Sequence, residues 1–341
     1  MQFPDHEWEL DSPERQGVDT AKLNAAVEFL RTRFPTTGGN REVAVIRNGA
    51  MIWAGDDIGR VHSIWSVTKS FTSTVLGLLI DDGRCSLDTL ACSILPELKT
   101  HYPTATLGHF AAMTSGYRSA NPSADERLGD SATPFDPAPP KSAPGEMYAY
   151  RNDAANEFGN ILTHLAGRSM YDVVNERLCT PIGFEDWQWR ELATVDGLAV
   201  NGGAGRPAIY MSASQLARVG LLFLNRGVWK ERRIISDAWI DAATRVQVAS
   251  TLPYDGGPVD GRGAYGLMWW ANGVCAGGGV RIPHAPPRTF WAYGLNNNAC
   301  FVIPEWNMIV ARGATSGGYE DAVYEIWDAF FRLLAEAIDA G

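Results

Sequence analysis

The chain has 341 residues, of which 45% are hydrophobic and 20% charged, a balance typical of a folded protein with a sizeable core. Its formal net charge of −10 creates a field that repels polyanions, so we expect no nucleic-acid partner. No apolar run approaches the roughly 20 residues of a membrane-spanning helix. The five cysteines form no C-x-x-C pair and are interpreted as free thiols.

Residues 1–17 are polar and acidic and lack the basic start and apolar stretch of a signal peptide. A cytoplasmic protein and an exported protein with a trimmed leader both fit this observation, so the compartment stays open. The histidines show no compact ligand spacing such as H-E-x-x-H, and we therefore expect no metal and no other cofactor. The oligomeric state is likewise left open.

The N-terminal part of the sequence predicts a helix followed by a β-hairpin. Residues 18–33 place apolar side chains at helical spacing after a polar start. Two short apolar runs, residues 42–47 and 50–54, then flank Asn48-Gly49. This pair is typical of a two-residue hairpin turn because both positions must tolerate positive φ.

The middle of the chain is predicted to be mainly helical. Residues 66–81 form an apolar segment that stops at Asp82-Gly83, which predicts a buried helix capped by the glycine. A proline-rich stretch, residues 134–144, is predicted to be an extended surface loop. The clearer helices of this region are predicted over residues 152–166, 212–225 and 236–246.

Strand-like patterns return after residue 261. Strands are predicted over residues 265–270, 289–293, 299–303 and 308–311, followed by an amphipathic helix over 321–337. Because strands and helices do not alternate regularly, a parallel sheet is not expected. We predict an α+β fold in which strands from both ends of the chain share one antiparallel sheet.

The first motif that points to chemistry is Ser66-Val67-Thr68-Lys69, at the start of the predicted buried helix. Residues three apart lie on one helix face, so the Ser66 hydroxyl and the Lys69 amine converge. A neutral amine can take the serine proton, and a helix N-terminus supplies N–H groups to an oxyanion. The alternative is a helix-capping serine and a surface lysine. This alternative is weakened because residues 63–80 carry no other charge, so an unpaired lysine ammonium in this apolar segment would be costly unless it had a function.

The second motif is Tyr150-Arg151-Asn152, which occurs once. A phenol beside an ammonium ionises more readily and relays a proton, whereas an amide can hold the lysine and donate to a substrate carbonyl. The alternative is a core aromatic followed by an N-cap for a helix that begins near Asp153. The presence of Ser66 and Lys69 favours the catalytic interpretation. No G-x-S-x-G motif of an α/β-hydrolase occurs.

With these motifs the sequence resembles the serine β-lactamase and penicillin-binding-protein superfamily, in particular class C β-lactamases, family VIII esterases and 6-aminohexanoate-oligomer hydrolases. The resemblance extends over nearly the whole chain. It also rests on Ser70-Phe71, Leu87-Asp88, Leu95-Pro96-Glu97-Leu98, Met113-Thr114-Ser115-Gly116, Pro144-Gly145, Met211-Ser212-Ala213-Ser214 and Tyr265-Gly266-Leu267-Met268-Trp269-Trp270.

The resemblance implies a β-lactamase/transpeptidase-like fold, with an antiparallel sheet flanked by the N- and C-terminal helices and a mainly helical lobe. Residues 1–62 together with 262–341 would form the sheet lobe, and residues 63–261 the helical lobe. The active site would lie in the cleft between them.

The resemblance also implies the roles of four side chains in acyl transfer. Ser66 would be the nucleophile that is acylated, and Lys69 the base in acylation. Tyr150 would relay a proton to the leaving group, and Asn152 would orient the substrate. Water would then release the acyl group from the serine.

The third motif of such families, usually Lys-Thr-Gly or His-x-Gly on a strand, aligns best with Ala292-Tyr293-Gly294. Here the sequence departs from the pattern, because Ala292 replaces the cation that typically grips the carboxylate of a β-lactam. Gly294 still suits close approach of the backbone, and the Leu295 N–H would complete the oxyanion hole with that of Ser66. Arg151 or Arg288 remains an alternative anion partner.

Several polar and aromatic residues near this motif are assigned to the acyl pocket or to the core. Tyr293 and Trp291 fit either place. Trp269 and Trp270 point to opposite faces of a strand, so one of them belongs to the core. Asn296-Asn297-Asn298 fits a turn or a polar edge of the cleft.

The sequence therefore predicts a serine hydrolase that acts through an acyl-enzyme on ester or amide bonds of small molecules. A β-lactamase or a D-amino-acid peptidase is the first alternative. A non-catalytic sensor or binding module that keeps the fold is the second.

Overall fold

The computed structural model describes residues 1–120, 135–204, 208–314 and 323–338. The helices in these ranges are α1 (Thr20–Arg33), α2 (Thr68–Asp81), α3 (Leu107–Ala111), α4 (Asn152–Ala166), α5 (Met170–Val174), α6 (Ala213–Leu224), α7 (Asp237–Thr244) and α8 (Tyr324–Ile338). The strands are β1 (Val43–Arg47), β2 (Ala50–Ala54), β3 (His62–Ser63), β4 (Gln188–Trp189), β5 (Glu191–Val195), β6 (Leu198–Asn201), β7 (Ile209–Met211), β8 (Val228–Trp229), β9 (Arg232–Arg233), β10 (Trp270–Ala271), β11 (Phe290–Gly294), β12 (Asn298–Ile303) and β13 (Met308–Arg312).

The main sheet combines strands from both ends of the chain in the order β10-β11-β12-β13-β1-β2. Neighbouring strands are antiparallel, and β1 joins the C-terminal strands through its pairing with β13, where Val45 lies opposite Val310. The predicted shared antiparallel sheet is therefore confirmed. Asn48 and Gly49 take positive φ values of 54° and 89° in the β1–β2 turn, as the hairpin pattern predicted.

Helices cover both faces of this sheet, which explains why most side chains on both faces of its strands are apolar. On one face α8 packs beside α1, and the Phe301 ring lies 4.7 Å from the Trp327 ring of α8. The preceding side chain of β12 points to the opposite face, where the Cys300 thiol donates to the Leu216 carbonyl of α6 at 3.7 Å. The fold is thus the predicted β-lactamase/transpeptidase-like arrangement of a sheet between helices.

Helix α2 is buried on nearly all sides, and its hydroxyl side chains bind neighbouring backbone. Ser70 Oγ donates to the Met268 carbonyl at 2.8 Å, and Ser73 Oγ donates to the Leu267 carbonyl at 2.6 Å. Gly77 faces the Trp239 indole so closely that a Cβ would lie 2.3 Å from a ring atom. The serines and the glycine therefore fix α2 against the segment that precedes β10 and against α7.

The structure corrects two predicted elements around the cleft. The strand predicted over 265–270 is wrong except at its last residue, because Met268 has φ 59° and the Gly266 N–H donates to the Trp269 carbonyl in a tight turn. The helix predicted from residue 66 begins at Thr68, and Ser66 lies in the preceding 3-10 turn.

The middle region also contains small sheets that the sequence did not predict, with the orders β3-β7-β4, β5-β6 and β8-β9. The proline-rich stretch contains no helix or strand over its described residues 135–144, and residue 134 lies outside the described ranges. The start of the last predicted helix, residues 321–322, also lies outside them. The proposed division into lobes at residues 62 and 262 stays a prediction.

Helix α4 carries a fully buried acid. Glu157 is 0% exposed, and the Tyr117 hydroxyl donates to its Oε2 at 3.3 Å. Burial raises the pKa of this carboxyl to about 8, so the folded protein holds a proton that the unfolded chain releases near pH 4 to 5. Folding therefore becomes less favourable as the pH rises through this window.

We expect the Glu157→Gln variant to be more stable than the wild type above this window, by on the order of a few kcal/mol. The difference should be near zero at about pH 4, grow up to about pH 8 and then level off. Urea unfolding across this pH range measures it, with the exposed Glu231→Gln as the matched control. A pH-independent difference between wild type and Glu157→Gln would contradict the assignment.

Candidate active site

Ser66 lies at the point where a short strand meets a buried helix. It occupies the 3-10 turn Trp65–Val67 between β3 and α2, and its side chain is partly exposed. Trp65 has φ 51°, a left-handed conformation that costs energy for a residue with a large side chain. The turn therefore presents Ser66 in a strained but accessible position, as a candidate nucleophile requires.

Lys69 is 1% exposed and lies under this turn in the first turn of α2. Its Nζ lies 3.1 Å from Ser66 Oγ and donates to Asn152 Oδ1 at 2.8 Å. The same nitrogen lies 4.6 Å from the centre of the Tyr150 ring. An amide oxygen and an aromatic face thus stabilise a buried amine that also contacts the serine hydroxyl.

Tyr150 completes the cluster from the loop before α4. Its ring stacks on Trp270 at 6.2 Å and meets the edge of Tyr265 at 6.0 Å. Burial raises the pKa of the Tyr150 phenol, while its hydrogen bond with Ser66 acts in the opposite direction. The expectation that this phenol ionises more readily is therefore wrong, because desolvation outweighs the favourable contacts.

The segment that carries Tyr150 and Asn152 is held by an ion pair. Arg151 donates to both carboxylate oxygens of Asp153, at 3.0 and 2.7 Å, and the Ser119 N–H donates to the same carboxylate at 3.0 Å. The Arg151 guanidinium is therefore engaged in an ion pair within the protein, which weighs against it as the alternative anion partner. Asn152 is the first residue of α4 and not its N-cap, so its side chain is available to Lys69.

The other proposed anion partner, Arg288, is exposed and pairs with Glu305 through its Nε at 3.3 Å. Its guanidinium is thus directed to the surface between β11 and β12. Both arginines suggested from the sequence as replacements for the cation absent at Ala292 are thus paired with carboxylates of the protein itself.

The third motif lies at the end of β11, directly against the Ser66 turn. A Cβ on Gly294 would lie 2.4 Å from the Ile64 carbonyl oxygen and 3.0 Å from the Ser66 nitrogen, so only glycine fits. Leu295 follows and begins a 3-10 turn. The backbone of residues 294–295 therefore borders the Ser66 amide, which is the place that the predicted oxyanion hole requires.

The side chains of this motif contribute less to the cleft than its backbone. Ala292 is 1% exposed and lies opposite Cys300 in the sheet, so β11 places no charge here. The Tyr293 hydroxyl donates to Asn297 Oδ1 and accepts from Trp327 Nε1 at 3.2 Å. Tyr293 therefore anchors β11 to α8 and does not direct its hydroxyl to Ser66.

The tryptophans divide as the sequence predicted. Trp269 is 1% exposed and packs against the Phe223 ring at 4.5 Å, so it belongs to the core. Trp291 is also fully buried, beside Phe301. Trp270 contacts Tyr150 and is the member of the pair that borders the candidate site.

Two cations near the site were missed by the sequence analysis. The Arg281 guanidinium lies over the Trp270 ring at 5.5 Å, and Arg312, fully buried at the end of β13, binds the turn after β11. The sequence did contain one signal for Arg312, because it is the only charged residue in the otherwise apolar strand Met308–Arg312. No periodic pattern marks Arg281, because it lies in an irregular loop.

The sequence profile of the Beta-lactamase family matches residues 40–330 of this chain. The chain belongs to the beta-lactamase family. Its solved structural relatives include a protein assigned as a 6-aminohexanoate-dimer hydrolase from Bacillus anthracis, with a TM-score of 0.73 and 18% identity over 99% of this chain and 89% of that one. A family VIII carboxylesterase has a TM-score of 0.66 and 15% identity over 94% and 99% of the two chains.

A sequence relative of this beta-lactamase-family protein is a D-aminopeptidase from Gluconobacter oxydans, 29% identical over 193 residues. The match covers 49% of this chain and only 35% of that relative. The structural likenesses establish the fold, and the family match places the protein in the superfamily of serine β-lactamases and penicillin-binding proteins.

Within the described ranges, no three His, Cys, Asp or Glu side chains are grouped so that they could hold a metal ion. None of the helices in those ranges combines the length and the apolar character that crossing a membrane requires.

We expect Gly294→Ala to reduce kcat/KM on any substrate of this site by about a hundredfold or more, because the new methyl group displaces the Ser66 turn. Gly59→Ala is the matched control, since a Cβ there meets no atom within 4 Å. Steady-state kinetics and thermal unfolding of both variants provide the test. Unchanged activity of folded Gly294→Ala would show that this contact does not govern the site.

Proposed function

We propose that this protein is a serine hydrolase that cleaves ester or amide bonds of small molecules through an acyl-enzyme on Ser66. The observation that carries the proposal is the position of Lys69 Nζ, which contacts both Ser66 Oγ and Asn152 Oδ1 beside the Tyr150 ring. This geometry provides a nucleophile, a base and a proton donor within one hydrogen-bonded cluster.

In the proposed acylation, neutral Lys69 accepts the Ser66 proton while Oγ attacks the substrate carbonyl carbon. The carbonyl oxygen becomes an oxyanion and accepts hydrogen bonds from the Ser66 and Leu295 N–H groups. Collapse of the tetrahedral intermediate breaks the bond to the leaving group, which takes a proton from Tyr150. Lys69 returns its proton to the tyrosine. In deacylation, water loses a proton to neutral Lys69 and attacks the ester carbonyl carbon. The bond to Ser66 Oγ then breaks, the acyl group leaves as a carboxylic acid, and Lys69 returns the proton to Oγ.

The substrate preference follows from β11. Since Ala292 supplies no cation, the proposed substrate is an ester or amide that does not depend on a carboxylate at this position. The carboxylesterase and 6-aminohexanoate-dimer hydrolase among the structural relatives are consistent with such chemistry. A buried aromatic wall formed by Tyr150, Tyr265 and Trp270 suits an apolar group beside the scissile bond.

The proposal predicts that a fluorophosphonate labels the wild type at Ser66 and that Ser66→Ala abolishes labelling and ester hydrolysis. Ser93→Ala, an exposed serine elsewhere, should behave like the wild type. Mass spectrometry of the labelled peptide and turnover of short-chain nitrophenyl esters provide the measurements. Equal labelling of wild type and Ser66→Ala would refute Ser66 as the nucleophile. No labelling and no turnover by the wild type would favour the non-catalytic binding module.

The alternative, a β-lactamase or D-amino-acid peptidase, is favoured by one observation. Arg281 is partly buried over the Trp270 and Tyr324 rings, at 5.5 and 5.0 Å, and Trp270 in turn stacks on the Tyr150 ring. Its Nη2 donates to the Asp260 carbonyl at 2.6 Å. Among the described residues, its Nε–H donates to no acceptor. A planar guanidinium in this position suits a substrate carboxylate. The similarity to a D-aminopeptidase supports the same alternative.

These two functions are distinguished by their substrates. We expect nitrophenyl esters to be turned over with a kcat/KM at least tenfold above that of a chromogenic cephalosporin. Arg281→Gln should change ester turnover by less than about threefold, and Arg288→Gln controls for loss of an arginine from the same region. A cephalosporin preferred by the wild type, and lost on Arg281→Gln alone, would reverse the order of the two functions.

A further inference from the structure

The turn that follows β11 has an unfavourable backbone conformation. Asn296 and Asn297 both lie in the left-handed region, with φ values of 61° and 60°. Asparagine tolerates this region better than most residues, but two such residues in succession require support from their surroundings. Leu295, whose N–H is the proposed oxyanion donor, is the first residue of the same turn.

Side chains bind all three carbonyl groups of this turn. Asn298 Nδ2 donates to the Leu295 carbonyl at 2.7 Å. Arg312 Nη1 donates to the Asn296 carbonyl at 2.9 Å and to the Asn297 carbonyl at 3.0 Å. Because buried carbonyl groups need donors, these bonds are what makes the strained turn stable in the interior.

Arg312 is itself held from the opposite side. It is 0% exposed, and its Nε donates to the Gly39 carbonyl at 3.0 Å. Its Nη2 donates to the carbonyl and to the hydroxyl of Thr37, both at 3.0 Å, and its Cζ lies 4.4 Å from the Phe34 ring centre. The loop between α1 and β1 thus fixes one edge of the guanidinium, and the turn after β11 binds the other.

We infer that Arg312 is a positioning residue for the oxyanion hole. It sets the direction of the Leu295 N–H through the carbonyl groups of residues 296 and 297, although it touches neither the substrate nor Ser66. The planar fork of arginine spans these acceptors, whereas a lysine ammonium reaches fewer of them. The inference rests on the proposed function, since it assumes that Leu295 stabilises an oxyanion.

The test compares Arg312→Lys with Arg218→Lys. Arg218 is a matched control because it is also buried, at 3% exposure, and binds backbone carbonyls: those of Asp5 and Ile182 at 2.9 Å and that of His6 at 2.6 Å. It lies outside the proposed site. Both variants lose a buried guanidinium that binds carbonyl groups, so both should lower the Tm.

For the folded enzyme, we expect Arg312→Lys to lower kcat for a nitrophenyl ester by about ten- to a hundredfold, with KM changed less than threefold. The expected loss in kcat is no larger than the loss caused by removing one hydrogen-bond donor of an oxyanion hole altogether. The affinity for phenylboronic acid, which forms a tetrahedral adduct, should fall by a similar factor. Arg218→Lys should keep both values within about twofold. Assays run well below both Tm values, and fluorophosphonate titration counts the active sites.

Equal kcat values for Arg312→Lys and Arg218→Lys would overturn the inference, as would a loss that appears only in KM. If Arg312→Lys does not fold, Thr37→Val removes one acceptor of the guanidinium and should give a smaller effect in the same direction, and unchanged kinetics of that variant would also overturn the inference. A wild type that neither hydrolyses esters nor is labelled at Ser66 refutes the proposed function instead.

Discussion

The buried Lys69 amine is the interaction on which the candidate site depends. Its nitrogen joins α2, which carries the lysine, to α4 through Asn152, and to the Ser66 turn. An ammonium without partners in this position would oppose folding, so the contacts that stabilise the helical region also assemble the site. The ion pair between Arg151 and Asp153, which flank Asn152 in the chain, fixes the backbone that holds this amide.

Much of this arrangement could be predicted from the sequence because it follows short-range rules. The hairpin turn at Asn48-Gly49 requires positive φ, and the spacing of Ser66 and Lys69 places them on one side of a helical segment. The strands β11 to β13 were found because they are continuous apolar runs separated by turn residues. The contact of Lys69 with Asn152 joins two distant motifs, and it was suggested by the chemistry of the amide and by the family resemblance because no local pattern shows that the two side chains meet.

The remainder depends on tertiary contacts that leave little local signal. Met268 lies in an apolar run typical of a strand, yet the structure forms a turn there. In this turn the Ser70 and Ser73 hydroxyl groups donate hydrogen bonds to the backbone carbonyls of residues 268 and 267. The pKa of Tyr150 was expected to respond to a neighbouring ammonium, but burial acts more strongly and raises it. Arg312 binds two loops that are far apart in sequence, and no single-sequence pattern identifies such a partner.

The raised pKa of Tyr150 also constrains the proposed chemistry. A raised pKa favours the phenol as a proton donor, which agrees with the proposed role of Lys69 as the acceptor of the Ser66 proton. Asn152 cannot carry the proton onward, because an amide oxygen only accepts a hydrogen bond. The amide therefore positions the amine beside the serine. In the proposed mechanism base and acid are separate groups that both contact the Ser66 hydroxyl, so the proton can be delivered on the side of the leaving group.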